Sequence, residues 1–140
     1  MKFAIIADIH ANLEAFGVVL EDIKEQKCTH IACLGDVVGY NADPKKCLDM
    51  VRDMNIPVVK GNHDEYCSTD EPLDGFNPAA AEAVNWTRRQ LRAEDRQWLR
   101  EFAHGCRPEA QPLDDASPIG IGQRVKDAID RFTRRTSVKH

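Results

Sequence analysis

Six residues whose side chains suit metal or phosphoryl chemistry fall in three short clusters. Asp8 and His10 flank one isoleucine, Asp36 follows Gly35, and Asn62, His63 and Asp64 follow Gly61. Carboxylate, imidazole and amide oxygen are hard or borderline metal ligands. Alternation at a strand end can place Asp8 and His10 on one side, two ligands toward one ion. Asp36 can reach the same ion, and its second oxygen can bridge to another. Asn62 offers that second ion a carbonyl oxygen without adding negative charge. His63 is left to face a substrate, with Asp64 placed to orient its ring and hold its tautomer. Two cations about 3.5–4 Å apart would polarise a phosphoryl group and lower the pKa of a bridging water toward neutrality.

Each cluster alone has a plainer reading. An Asp-x-His pair caps or decorates a surface, Gly-Asp makes a turn, and Gly-Asn-His-Asp makes an Asx turn. Their shared position is what argues for chemistry. Phe3-Ala4-Ile5-Ile6-Ala7 leads into the first, Ile31-Ala32-Cys33-Leu34 into the second, and Ile56-Pro57-Val58-Val59-Lys60 into the third. Residues 2–7, 30–34 and 57–60 therefore read as buried strands. Leu13, Phe16, Val19, Leu20 and Ile23 repeat at helical spacing over 13–26, with Asn12 as the cap. Pro44 opens a second helix whose stripe is Cys47, Leu48, Val51 and Met54. The order strand, helix, strand, helix, strand predicts an α/β fold with a mainly parallel sheet flanked by helices. Ligands collect at the carboxyl edge of such sheets. Tyr40, Asn41 and a turn-rich loop over 67–78 would border that pocket.

Further along, the pattern predicts a helix from Pro78 to about 91, packing through Ala79, Ala83, Trp86 and Leu91. Another follows over 94–103, with Trp98, Leu99 and Phe102 as its apolar side. Residues 105–120 hold three prolines and little periodicity, and read as a linker or disordered. Residues 121–140 read as an amphipathic basic helix and tail, its stripe made by Ile121, Val125, Ile129 and Phe132.

The chain has 140 residues, enough for one domain with a proper core. Net charge is −4, unevenly placed: residues 1–75 carry seven Lys/Arg against fourteen Asp/Glu. The motif-bearing half is thus acidic, which attracts divalent cations rather than phosphate. The arginines of the basic end, residues 107–140, read as a solvated helix face, so nucleic acid is not an expected partner. No apolar stretch is long enough for a membrane span, and the N-terminus lacks the apolar core of a signal peptide. A cytoplasmic location is the expectation. Five cysteines without regular spacing argue for free thiols rather than a zinc–thiolate site.

Asp8-x-His10, Gly35-Asp36-x-x-Gly39 and Gly61-Asn62-His63-Asp64 together resemble the calcineurin-like metallophosphoesterases. The Gly-Asp-Val-Val-Gly-Tyr run followed by Asn-Ala-Asp-Pro is similar to the bacterial diadenosine-tetraphosphatase-like and phosphodiesterase-like branch. The resemblance covers residues 1–104 and implies the N-terminal half of a four-layer α/β/β/α sandwich. It implies hydrolysis of a phosphomonoester, phosphodiester or pyrophosphate of a small molecule or nucleotide, with two divalent ions, manganese first and iron, zinc or nickel as alternatives. By it, Asp8, His10 and Asp36 serve one metal and Asp36 and Asn62 the other, and His63 acts as acid or charge stabiliser. His104, followed by glycine, is the candidate for a later metal-binding histidine of the family. The family's closing Gly-His-x-His has no counterpart among the histidines at 10, 30, 63, 104 and 140. The expectation is therefore a shortened chain with an unrelated tail, an uncovered sheet face and a tendency to self-associate.

Two other classes compete. One is a remnant that binds metal or nucleotide and has lost turnover. The other is a nucleotide-binding or receiver domain, which lacks support because no Gly-x-Gly-x-x-Gly or Gly-Lys-Ser/Thr follows a strand.

Overall fold

The computed structural model describes residues 1–102. His104, the 105–120 segment and the 121–140 segment lie outside the described residues. The elements are β1 (Phe3–Ile6), α1 (Leu13–Glu25), β2 (His30–Cys33), α2 (Pro44–Met54), α3 (Asn62–Ser68), α4 (Pro78–Gln90) and α5 (Ala93–Arg100). Strands β1 and β2 pair in parallel, with Ala4 opposite Ile31 and Ile6 opposite Cys33. Parallel neighbours need a crossover, and α1 supplies it.

The third expected strand shrinks to a single bridge between Cys33 and Val58. The Cys33 N–H donates to the Pro57 carbonyl at 2.9 Å, and the Val59 N–H to the Cys33 carbonyl at 2.9 Å. Proline has no N–H of its own, and the chain turns into Gly61 two residues after Val59, so the ladder does not extend.

Helix α1 starts where the Asn12 side chain accepts the Ala15 N–H at 3.1 Å. Its buried stripe, Leu13, Phe16, Leu20 and Ile23, matches the expected spacing, with Val19 left partly exposed. Helix α2 begins at Pro44 and buries Cys47, Leu48, Val51 and Met54 as expected. These two stripes form one core with Ile6, Ile31 and Cys33. The opposite sheet face is different. Phe3 is 58% and Ile5 59% exposed, so the strands are buried on one face among the described residues, not on both.

Helix α3 was not expected: Gly61 is its N-cap and the Gly-Asn-His-Asp motif is its first turn. Its last carbonyls lack partners within the helix, and arginines of α4 and α5 supply them. Arg88 Nε donates to the Tyr66 carbonyl at 3.0 Å and Arg96 Nε to that of Cys67 at 3.2 Å. Arg100 donates to the carbonyl of Ser68. Arg88, Arg96 and Arg100 thus hold α3 in place.

Helix α4 is capped by Asn77, which accepts the N–H of Ala79 at 2.8 Å. It packs through Val84 and Thr87, with Leu91 just beyond, while Ala79 is exposed. The periodicity missed Thr87 because threonine is polar. Its hydroxyl donates to the Ala83 carbonyl at 2.9 Å, which makes its burial tolerable. Helix α5 is tied to α2 by Asp95, fully buried, which contacts Arg52 at 3.2 Å and Lys45 at 3.3 Å and accepts the Arg92 N–H at 3.0 Å. Burial pushes the Asp95 carboxyl up, but those donors outweigh it and hold it below its ordinary value.

Candidate metal centre

The loops after β1 and β2 lie side by side and are joined through their backbones. Asp8 N–H donates to the Gly35 carbonyl at 3.1 Å, His10 N–H to that of Asp36 at 2.9 Å, and Ala11 N–H to that of Val37 at 2.9 Å. This pairing holds an unusual backbone. Asp8 (φ 55°), His10 (φ 45°), Ala11 (φ 56°) and Asp36 (φ 54°) are all left-handed. Such conformations are costly for residues other than glycine and persist where the surroundings impose them, commonly at functional sites.

The result is a compact donor set. One ligand atom from each of Asp8, His10 and Asp36 lies within 4.8 Å of the others. His10 Nε2 is 3.5 Å from Asp8 Oδ1. His10 Nδ1 is 3.1 Å from the Val38 carbonyl, an acceptor that can only receive a proton. The proton therefore sits on Nδ1 and the Nε2 lone pair faces the carboxylates, the arrangement of a metal-ligating histidine. Two carboxylates and one such imidazole fit a divalent cation.

The third cluster joins through close backbone approach. A Cβ on Gly35 (φ 99°) would lie 2.5 Å from the Val59 carbonyl oxygen and 2.9 Å from Gly61 Cα. A Cβ on Gly61 would lie 2.5 Å from Asp36 Cγ. The glycines of the second and third motifs are thus there to let the two turns touch. In that contact Asp36 Oδ1 accepts the His63 N–H at 2.9 Å. The His63 ring lies 5.0 Å from that of His10. Gly39 makes room for it, since a Cβ there would be 2.8 Å from His63 Nδ1. His63 Nδ1 is buried without a hydrogen-bond partner. Burial lowers the ring's pKa, with His10 acting in the same direction, against Asp36 and Asp8. Asn62 stands exposed at the start of α3, beside this contact.

Asp64 does not do what its sequence position suggests. Its carboxylate does not hold the His63 ring; it accepts backbone N–H groups from Asp36 (2.8 Å), Val37 (2.9 Å), Val38 (3.4 Å) and Gly61 (3.0 Å). A residue at the third position of a helix is turned back toward its N-cap, so Asp64 faces the backbone while His63, one position earlier, faces the cluster. Burial pushes the Asp64 carboxyl up to about 6, against the pull of the Gly61, Val38 and Asp36 N–H groups. Asp64 is therefore a positioning residue that pins the Asp36 loop to α3. The buried thiols of Cys33 and Cys67 are pushed up to about 11 and about 12 by desolvation, which keeps them protonated beside the site.

A carboxylate–imidazole cluster at the carboxyl edge of a parallel α/β sheet defines a candidate divalent-metal site of the hydrolase type. The chain belongs to the calcineurin-like phosphoesterase family, which it matches over residues 1–128. It is 46% identical over 96 residues to an uncharacterized protein of Methanocaldococcus jannaschii, a match covering 69% of this chain and 40% of that one. It is 44% identical to the metallophosphoesterase from Sphaerobacter thermophilus, whose crystal structure it matches with a TM-score of 0.59 over 73% of this chain and 41% of that one. The described elements are those of the N-terminal half of that α/β fold. The chain spans about two fifths of the length of these relatives.

Proposed function

We propose that the chain hydrolyses a phosphoester of a small molecule or nucleotide at a centre of two divalent cations, manganese by preference. The observation that carries this is the convergence of Asp8, His10 and Asp36 within 4.8 Å, with the His10 tautomer set by Val38. Asp8, His10 and Asp36 would hold one ion, and Asp36 with Asn62 the other. His104 remains a candidate ligand from outside the described residues. Bound there, the cations would polarise the phosphoryl group and acidify water. His63, its ring neutral and next to His10, would donate a ring N–H to charge developing on the leaving oxygen, a contribution of about 10²–10⁴ in rate. Asp64 keeps Asp36 and His63 in register. No helix among the described residues is long and apolar enough to cross a membrane.

Calorimetric titration with manganese and hydrolysis of bis(p-nitrophenyl) phosphate test it. Asp36→Asn should weaken manganese binding more than Asn62→Ala, because a bridging charge serves both ions. Manganese affinity unchanged in Asp36→Asn would overturn the assignment. Binding without hydrolysis would leave the binding remnant as the better reading.

A further inference from the structure

Tyr40 is the large aromatic left exposed at the site, with 59% of its surface open while Val37, Val38 and Gly39 beside it are buried. Its ring lies 4.4 Å from that of His63 and 4.9 Å from that of His10, tilted toward one and edge-on to the other. Its backbone is left-handed, with φ 64°. That conformation is a genuine outlier for a bulky residue, and it needs surroundings that impose it. They are present: the Asn41 N–H donates to the Gly39 carbonyl and its side-chain amide to the His10 carbonyl, each at 2.9 Å. An aromatic ring gains most when its faces are covered. Here the loop holds it up, against both histidines.

Beside it runs a cleft of about 240 Å³. Asp8, His10 and Asn12 are among its lining residues. Ala15, Phe16 and Val19 of α1 line it, together with Tyr40 and Asn41. Its volume leaves room for a ring system. A mainly apolar lining with a few polar groups is the usual make-up of a small-molecule site. With the phosphoryl group at Asp8, His10 and Asp36, whatever enters the cleft is the group attached to it. Ala15, Phe16 and Val19 offer a polyol no donors or acceptors, and the amides of Asn12 and Asn41 are already engaged with the Ala15 N–H and the His10 carbonyl, so its hydroxyls would lose water for few partners. A flat ring would gain apolar burial against α1 and stacking against Tyr40.

We propose that Tyr40 is a specificity-determining residue, stacking an aromatic ring carried by the leaving group of the substrate in the cleft between the metal-ligating loop and α1. This rests on the phosphoester reading above. The shared chemistry is a planar ring, supplied by a nucleobase or by a simple aryl alcohol.

The test compares adenosine 5′-monophosphate, phenyl phosphate and ribose 5-phosphate on the manganese-loaded protein, by Kd, or by KM where hydrolysis occurs. Stacking on one aromatic side chain is worth a factor of about 5–150 in affinity. The ring-bearing ligands should bind tighter than ribose 5-phosphate by a factor in that range. Tyr40→Ala should remove that advantage, weakening the ring-bearing ligands by that factor more than ribose 5-phosphate, and Tyr40→Phe should keep it. Ala15→Leu, at an exposed helical position, should narrow the cleft and weaken the ring-bearing ligands alone. A gain for adenosine 5′-monophosphate only assigns the cleft to nucleobases; an equal gain for phenyl phosphate assigns it to aryl groups generally. Equal binding of all three ligands by the wild type, or an equal loss for all three in Tyr40→Ala, would overturn the proposal and leave the phosphoester reading standing. No binding of any of the three would overturn both.

Discussion

Removing the Asp64 carboxylate should unfold the site from its centre. Its oxygens accept four backbone N–H groups, three of them at 2.8–3.0 Å, and the side chain is fully buried. Asp64→Ala leaves those donors without a protein acceptor. Each orphaned buried donor costs about 1–3 kcal/mol. Three strong donors set a range of about 3–9 kcal/mol. The lower part applies, because the carboxylate itself was costly to bury, as its pKa of about 6 shows, and because water can enter the space left behind. About 3–5 kcal/mol is the expectation, a large part of the stability of a small domain. At a urea dependence of about 1.5 kcal/mol per molar, the unfolding midpoint should fall by about 2–3 M. Circular dichroism in a urea series reads this directly. Manganese affinity should fall as well, since Asp36 and Gly61 lose their common tie. Had Asp64 served only to orient His63, the variant would melt like the wild type and lose turnover alone. A midpoint within about 0.5 M of the wild type would refute the argument.

Other outcomes follow from separate parts of the molecule. His63→Gln should spare manganese binding and cut hydrolysis by about 10²–10⁴, and loss of manganese binding would show that His63 is itself a ligand. Asp95 is held below its ordinary value of 3.8, so its contribution is present above that pH and lost as pH falls through the lower, folded-state value. Asp95→Asn should therefore be less stable than the wild type at pH 7, by about 2–4 kcal/mol, and lose less on acidification below pH ~4. Parallel acid-melting curves would refute this. Phe3 and Ile5 present an exposed apolar sheet face, so the chain should self-associate and Ile5→Lys should shift sedimentation toward monomer; an unchanged sedimentation profile would remove that face as the contact.

Much of this molecule is legible in its residues taken in order. Helices α1 and α2 came out where the spacing of Leu13, Phe16 and Leu20, and of Cys47, Leu48 and Val51, put them, because a helical stripe is a local pattern with a fixed period. The three motifs were readable for a similar reason: each is a few contiguous residues after an apolar run. Tertiary structure decided what those residues touch. The acceptor that sets the His10 tautomer is the carbonyl of Val38, 28 positions away, and a backbone carbonyl carries no residue-type signal. Asp64 and His63 are neighbours in sequence, yet helical rotation sends one to the backbone of residues 36–38 and the other to His10 and Tyr40. The glycines at 35 and 61 announced tight turns, but only the fold shows that the two turns press on each other. Burial of one sheet face alone, and the use of Arg88, Arg96 and Arg100 to finish α3, follow from which elements happen to pack together. Periodicity and residue type therefore located the candidate cluster, while contacts through space, made largely by backbone groups that every residue shares, determined how it is held.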